Sequence, residues 1–363
     1  MKNIAILGST GQIGSQALEI VKSYPDQFKV IGISCRHPSA KFKEQISEFK
    51  PKITAITEVD GADSLVSIAS HPEVDLLVVA TVGLSGLKPT LAAIEKGKDI
   101  ALATKEVLVI AGKYVLDQAK KHNVNIFPID SEHSAIWQCL HAGKKDEISH
   151  IILTMGSGPI AKMTPSQLDK VTLKDIFNRP AWEMGQKIAV DSATCINKTF
   201  EVIEAGLLFG LPPEKIQVTV HPQYFCHSLV EFVDGSIIGE FGVPDMKRYI
   251  QYALFYPDRK LNKILPPPNI FGQNLEFKEA PFEKFPCLQF GFDALKKGGN
   301  MPSILHGADT TAVQAFLDKK IKFTDIPKVI KKTMESSPFI KSPNLNQIIN
   351  SEKQASIKAV EFI

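Results

Sequence analysis

The sequence predicts an α/β protein in which a doubly wound parallel sheet is followed by an α+β domain and a C-terminal helical bundle. Over the first 149 residues, strands that are apolar throughout, such as KNIAILG, FKVIGIS and DLLVVATVG, alternate with amphipathic stretches. Such strands are typical of parallel sheets covered by helices on both faces. Further along, SLVEFV and SIIGEFG flank Asp234-Gly235, and this pattern predicts a β-hairpin.

The predicted domains are residues 1–149, 150–256 and 285–363, with a linker over 257–284. Three prolines follow one another from Pro266, so this linker cannot be helical and is interpreted as extended chain. The last domain contains LQFGFDALKKGG, TTAVQAFLDKK and QASIKAVEF, which have the spacing of amphipathic helices.

Composition excludes several classes of function. The 363 residues include 42 basic and 39 acidic side chains, a net charge of only +3, and the two signs are interleaved, so a nucleic-acid partner is not expected. The apolar runs are too short for a membrane span or a signal peptide, which predicts a cytoplasmic protein. Five scattered cysteines without a C-x-x-C pair are interpreted as packing residues.

The segment GSTGQIG, from Gly8 to Gly14, follows the first strand and leads into a helix. Its glycines allow a diphosphate to approach the backbone, and the helix start offers N–H groups to the anion. The alternative is a plain strand-to-helix turn. The second strand ends in Ser34, Arg36 and His37 rather than in an acid, which suits the 2′-phosphate of NADP, although a solvated arginine would give the same pattern.

Two acids, Asp130 and Glu132, stand at alternate positions of PIDSEHSAIWQ. If this segment is a strand, both carboxylates point to the same side. A third acid, Glu201, falls four residues after Asn197 at a predicted helix start and shares its face. Three carboxylates suit Mg²⁺ or Mn²⁺, and the alternative is that they are ordinary surface acids.

Several long motifs then match one family. ALATKEVLV, PIDSEHSAIWQ, WEMGQKIAVDSATCINKTFEVIEA and VTVHPQYFCHSLVEFVDGSIIGEFGVPDM occur in order, and with them the chain resembles 1-deoxy-D-xylulose 5-phosphate reductoisomerase over nearly its whole length. The resemblance implies a Rossmann-like NADPH domain, a central catalytic domain that forms a homodimer and carries a mobile lid, and a helical C-terminal domain. It implies that a divalent metal holds the ketose phosphate during rearrangement and that NADPH then reduces the resulting aldehyde.

The resemblance also implies roles for individual residues. The catalytic set would be Lys105 with the metal ligands Asp130, Glu132 and Glu201. The residues that would bind the sugar-phosphate substrate are Ser131, Ser157, Arg179, Trp182, Met184, Ser192, Asn197, Lys198 and His227. The residues that would bind NADPH are Gly8, Ser9, Thr10, Gly11, Gln12, Ile13, Ser34, Arg36, His37, Ala103, Thr104, Glu106 and Met246.

The chain departs from the usual family pattern at four places. The family usually reads A-N-K-E-S, S-G-G-P, H-P-N-W-S-M-G and A-N-E where this chain has ATKEV, GSGP, RPAWEMG and HGADTTAV. Arg179 is a credible phosphate ligand in place of a histidine, whereas Glu183 adds negative charge near a dianion. Two alternatives follow: a paralogue acting on a related sugar phosphate, and an inactive nucleotide-binding regulator.

Overall fold

The computed structural model describes residues 1–177 and 185–363. The strands are β1 Lys2–Leu7, β2 Phe28–Cys35, β3 Ile53–Ile56, β4 Leu76–Val79, β5 Asp99–Leu102, β6 Ile126–Pro128, β7 Ile148–Met155, β8 Ile216–Val220, β9 Cys226–Phe232, β10 Ile237–Phe241 and β11 Lys278–Glu279.

The helices before residue 178 are α1 Gln12–Ser23, α2 Ala40–Phe49, α3 Thr57–Asp60, α4 Ser64–Ala69, α5 Leu87–Glu95, α6 Glu106–Lys121, α7 Ser131–Cys139, α8 Pro165–Leu168 and α9 Leu173–Phe177. Those after residue 184 are α10 Gln186–Ala193, α11 Ile196–Phe209, α12 Lys247–Phe255, α13 Cys287–Lys297, α14 Met301–Leu317, α15 Ile326–Ser336 and α16 Leu345–Val360.

The first sheet is parallel and has the strand order β3-β2-β1-β4-β5-β6. Its strands are parallel because helical crossovers connect them, and Ile4 of β1 pairs with Val30 on one side and Leu76 on the other. The chain runs outward from β1 to β3 and then returns to β4. This reversal is the topological switch point at which open α/β sheets bind their ligands. The predicted doubly wound α/β class is confirmed.

One compact unit contains residues 1–107, 113–138 and 242–271. Helix α12 belongs to it: Ile250, Ala253 and Leu254 are buried in the same core as α1, and the Phe255 ring lies 4.8 Å from that of Tyr24. The sequence predicted this segment in the domain that follows residue 149. Its position differs from this prediction because the apolar face of α12 covers the first sheet. No local sequence pattern shows which sheet an apolar helix face will cover.

The other compact unit contains residues 108–112, 139–241 and 272–363. Its sheet has the order β10-β9-β7-β8-β11, and β9 and β10 form the predicted antiparallel hairpin. Gly235 adopts φ +84° at its tip. The hairpin is a local feature, and the turn residues alone were enough to predict it.

The helical part of the second unit is longer than the sequence pattern indicated. Helix α14 begins at Met301, nine residues before TTAVQAFLDKK, and α15 adds a further helix before α16. The proline-rich stretch is not helical, as its prolines predicted: residues 261–277 contain neither helix nor strand, while β11 lies within the predicted linker 257–284. The five cysteines are buried thiols. Among the described residues, the helices are too short or too polar to cross a membrane.

The turn between β1 and α1 is closed by close backbone packing at Gly14. A Cβ added there would lie 2.3 Å from the carbonyl oxygen of Gly8 and 2.7 Å from the Cα of Ser9. Both neighbours are backbone atoms, so neither can rotate away. Only a residue without a side chain allows α1 to start this close to the strand.

Replacing Gly14 with alanine should therefore destabilise the first unit by about 1–3 kcal/mol, because the overpacking outweighs the better helix propensity of alanine. Urea unfolding followed by circular dichroism measures the change. Gly185→Ala is the control, since no atom of the described residues lies within 4 Å of a Cβ built there. Equal stability of the two variants would contradict the packing argument.

Candidate functional site

The glycine turn lies at the carboxyl end of β1, at the switch point of the parallel sheet. Gly8 adopts φ +81°, and a Cβ there would lie 2.3 Å from the carbonyl oxygen of Ala80. The backbone N–H of Ser9 donates to the carbonyl of Ser34 at 2.7 Å, which ties the turn to β2. Gly11 precedes α1 and has no side chain to cap it, so the first N–H groups of the helix face the turn.

The other predicted residues of this turn, Thr10, Gln12 and Ile13, lie in sequence between Gly8 and Gly14. The Thr10 carbonyl accepts a hydrogen bond from the Lys41 ammonium at 3.0 Å. Lys41 therefore brings a positive charge to the turn from the first residues of α2. The sequence analysis did not single out this lysine, because its position depends on how α2 packs.

An acidic residue that the sequence analysis missed, Glu58 of α3, lies against the residues that follow β2. Glu58 lies 2.5 Å from Nδ1 of His37 and 3.9 Å from Nε of Arg36, while Ser34 is buried and its hydroxyl accepts from the N–H of Gly8 at 3.2 Å. The carboxyl ends of parallel neighbours meet at one edge. The sequence did contain a signal for this contact, because Glu58 comes just after β3, the neighbour of β2 in the sheet.

The segment after β5 reaches the same edge of the sheet. The Thr104 hydroxyl donates to the carbonyl of Thr81 at 2.7 Å, and the N–H of Ala103 donates to that of Val79 at 3.0 Å. Glu106 begins α6. Since β4 and β5 are neighbours in the sheet, these bonds hold the predicted cofactor residues at the ends of the central strands.

The interpretation of the Asp130 and Glu132 pair as alternate residues of one strand is wrong. Strand β6 ends at Pro128, and Glu132 lies in the first turn of α7. The Asp130 carboxylate accepts from the N–H of Glu132 at 3.3 Å, and the Ser131 hydroxyl donates to the Glu132 carboxylate. A carboxylate that precedes a helix satisfies its first N–H groups, and this interaction starts the helix at Ser131.

Lys105 and Asp130 form a nearly buried ion pair in the first unit. The ammonium lies 2.8 Å from Oδ2, and the side chains are 16% and 12% exposed. His133, fully buried, places Nδ1 3.2 Å from Oδ1. Burial alone would raise the pKa of Asp130, but Lys105 and then His133 outweigh it, so the pKa lies well below the ordinary value. Asp130 is therefore an anion at neutral pH. His133 was missed, although it stands three residues after Asp130.

In the second unit, α11 carries the third predicted metal ligand, Glu201. Helix α11 begins at Ile196, as predicted, and Glu201 is 1% exposed. Lys198 forms an ion pair with the Glu201 carboxylate, and the side-chain amide of Asn197 donates to it. Glu204, one turn further, is also buried and was not predicted.

Helix α10, which carries Ser192, is separated from α11 by only two residues, Thr194 and Cys195. Cys195 adopts φ +68°, a conformation that side chains disfavour and that persists only where the surroundings impose it. The Thr194 hydroxyl donates to the carbonyl of Val190 at 3.0 Å. The relative direction of the two helices is therefore fixed by a tight turn.

Three more predicted residues occupy separate places. Ser157 follows β7, beside Gly156, where a Cβ would lie 1.9 Å from the Tyr224 ring. His227 is buried on β9 of the same sheet. Met246 precedes α12 in the first unit and packs against its core. Arg179, Trp182 and Met184, together with Glu183, lie outside the described residues.

A parallel α/β sheet with a glycine turn at its switch point, and buried carboxylates paired with lysines, define the class of nucleotide-binding α/β enzymes. Comparison with protein-family models identifies one family within this class. Residues 4–65 and 55–112 match the 1-deoxy-D-xylulose 5-phosphate reductoisomerase family, residues 126–209 the C-terminal domain of that name, and residues 241–357 the DXP reductoisomerase C-terminal domain. The chain belongs to the 1-deoxy-D-xylulose 5-phosphate reductoisomerase family.

Individual relatives match along their whole length. The 1-deoxy-D-xylulose 5-phosphate reductoisomerase of Pelotomaculum thermopropionicum is 43% identical over 383 residues, covering 100% of this chain and 99% of the relative. The Zymomonas mobilis enzyme, solved in complex with NADPH, has a TM-score of 0.92 at 34% identity and covers 99% and 98% of the two chains. A DOX-P reductoisomerase solved with NADPH, fosmidomycin and magnesium has a TM-score of 0.91 at 36% identity, covering 100% and 98%.

The Lys105–Asp130 pair generates a test of stability. Lys105→Met leaves the buried Asp130 without its main counter-charge and should lower the free energy of unfolding by about 3–5 kcal/mol. The measurement is urea unfolding with a chelator present. Lys113→Met is the matched control, because its partner Asp117 lies at 3.0 Å but the two side chains are 83% and 62% exposed, so it should change stability by less than about 1 kcal/mol. Similar losses of stability in Lys105→Met and Lys113→Met would contradict the conclusion that Lys105 compensates a nearly buried charge.

Proposed function

We propose that the protein is an NADPH- and divalent-metal-dependent reductoisomerase that converts 1-deoxy-D-xylulose 5-phosphate to 2-C-methyl-D-erythritol 4-phosphate in non-mevalonate isoprenoid biosynthesis. The observation that carries the proposal is the match over the complete chain, at 43% identity, to relatives named for this reaction. Two features of the fold support the proposal: the first unit offers a sheet edge suited to a nucleotide and the nearly buried Asp130, and the second unit offers the buried Glu201.

We assign Asp130, Glu132 and Glu201 as the metal ligands. Their carboxylate oxygens are hard donors that suit Mg²⁺ or Mn²⁺, and relatives have been solved with magnesium. The depressed pKa of Asp130 keeps that ligand ionised. A bound divalent ion would act as a Lewis acid that polarises the ketone and stabilises the oxyanion during rearrangement.

The chain's own side chains would bind and orient the substrate. Lys105, held beside Asp130, would bring positive charge to a substrate oxygen, and Ser131 would contact the carbon chain. His227 would line the opposite wall, while Trp182 and Met184 would cover the substrate and exclude water. The phosphate group would be held by Ser157, Arg179, Ser192, Asn197 and Lys198.

NADPH would occupy the edge of the parallel sheet. Its diphosphate would lie over the glycine turn from Gly8 to Ile13, where the N–H groups of α1 begin. Ala103, Thr104 and Glu106 lie at the end of β5 and would contact the dinucleotide, with Met246 near the nicotinamide. Ser34, Arg36 and His37 would receive the 2′-phosphate.

The proposed protein is a cytoplasmic homodimer with no nucleic-acid partner. The edge strand β10 supports the dimer, because Ile237 and Ile238 are 55% and 39% exposed, and such an edge is usually covered. The near-neutral charge of +3 supports the absence of a nucleic-acid partner. Sedimentation equilibrium measures the oligomeric state, and a monomer at micromolar concentration would contradict the dimer.

The test of the activity is NADPH oxidation with 1-deoxy-D-xylulose 5-phosphate in the presence of Mg²⁺ or Mn²⁺. We expect oxidation with either metal and its loss with excess chelator. The protein could instead turn over only a ketose phosphate that carries a hydroxymethyl group in place of the methyl. That result would mean that its substrate is this related sugar phosphate. NADPH binding without oxidation of any ketose phosphate would contradict enzymatic function.

The metal assignment predicts the behaviour of Glu201→Gln. The change removes an anionic ligand but keeps the shape of the side chain, so kcat should fall by about two or more orders of magnitude while NADPH binding is unchanged. Steady-state kinetics and Mn²⁺ titration measure both effects. Glu214→Gln, an exposed change in the same unit, is the control. Full activity of Glu201→Gln would reject the ligand assignment.

The cofactor assignment predicts a change of preference in Arg36→Gln. Loss of one charged contact should weaken NADPH binding by about 1–3 kcal/mol and leave NADH binding nearly unchanged. Fluorescence titration of both cofactors measures this difference. Lys29→Gln, exposed on the same strand, controls for loss of positive charge. Equal losses for NADPH and NADH would mean that Arg36 supports the loop rather than reading the 2′-phosphate.

A further inference from the structure

A cluster of one lysine and two buried carboxylates joins α10 to α14; the lysine side chain is 29% exposed. The Lys187 ammonium lies 2.7 Å from Oδ2 of Asp191, one turn further along α10, and 2.6 Å from Oδ2 of Asp309 in α14. Asp191 is 5% exposed and Asp309 is completely buried. One lysine therefore holds two carboxylates that come from different helices.

The electrostatics of the cluster make it a fixed connection. Burial lowers the pKa of Lys187, but the charges of Asp309 and Asp191 outweigh this effect and the pKa lies above its ordinary value. The second carboxylate oxygen of Asp309 is buried and makes no hydrogen bond to the residues that the structure describes. Its charge is thus balanced mainly through Lys187, and α10 cannot move away from α14 without exposing an uncompensated anion.

The same lysine also contacts α11. Its ammonium lies 5.7 Å from the centre of the Phe200 ring, and Phe200 directly precedes Glu201. Ser192 lies in the last turn of α10, next to Asp191, while Asn197 and Lys198 lie in the first turn of α11. Lys187 is therefore in contact with both helices that carry the proposed phosphate ligands.

Stability alone is a weak reason for such a cluster, because apolar residues of similar size often stabilise a core as well as buried ion pairs do. An ion pair differs in being directional, since it fixes where two helices meet. We propose that Lys187 and Asp309 are positioning residues that align Ser192 on α10 with Asn197 and Lys198 on α11 for the substrate phosphate. This inference rests on the proposed function, which assigns the phosphate to those residues.

The test is Asp309→Ala, which removes the anchor on α14 and leaves Lys187 paired with Asp191. We expect the KM for 1-deoxy-D-xylulose 5-phosphate to rise about tenfold while the KM for NADPH stays within about twofold. Ser303→Ala is the matched control: Ser303 is fully buried in the same helix and donates to the carbonyl of Ile110 at 2.9 Å. Asp309→Asn, which can still accept a hydrogen bond from Lys187, should restore most of the affinity.

Calorimetric titration with inorganic phosphate separates this inference from the proposed function. Weaker phosphate binding in Asp309→Ala than in Ser303→Ala supports positioning even if the wild-type protein does not turn over the expected substrate. If Asp309→Ala does not fold, Asp309→Leu fills the space of the carboxylate and keeps the Lys187–Asp191 pair, and the same loss of phosphate affinity is expected. Wild-type KM and phosphate affinity in the folded variant, with stability alone reduced, would overturn the proposal.

Discussion

In the described part of the chain, the buried acidic side chains of the candidate site lie against lysines. Asp130 is paired with Lys105 in the first unit, and Glu201 with Lys198 in the second. A buried carboxylate is tolerated only where a counter-charge or hydrogen-bond donors meet it. In the first unit this requirement holds the start of α6, which Lys105 precedes, against Asp130 at the start of α7. Lys105 keeps the pKa of Asp130 low and the carboxylate ionised, and ionised oxygens are what a divalent cation binds.

The parallel sheet imposes the second constraint. Its order reverses between β1 and β4, so the loops that follow the central strands diverge and leave an edge where a ligand can approach several backbones at once. Gly8 and Gly14 allow α1 to start against that edge. The hydrogen bonds of Ser9 and Thr104 then hold the neighbouring loops in place. Cofactor binding thus depends on backbone packing as much as on side-chain chemistry.

Prediction from the sequence succeeded where the signal is local. The apolar strands, the Asp234-Gly235 hairpin and the start of α11 each depend on neighbouring residues, so their patterns were sufficient. The strand interpretation of Asp130 and Glu132 failed because two acids separated by one residue suit a strand, yet they also suit a helix start at which one acid caps the other's N–H group. The placement of α12 could not be predicted, since an amphipathic helix does not indicate which sheet its apolar face will cover.

The sequence by itself determined the α/β class, the family, and the residue types at the candidate site, because these follow from periodicity, from glycine positions and from long motifs. Only the tertiary structure decided which charges meet. The approach of Glu58 to Arg36 and His37, the contact of His133 with Asp130, and the anchoring of Lys187 by Asp309 join residues on different elements or across a helix turn. Such pairings arise from how the elements pack. For Asp130 and Asp309, burial then makes the pairing obligatory, since an isolated charge in the core would be too costly to keep.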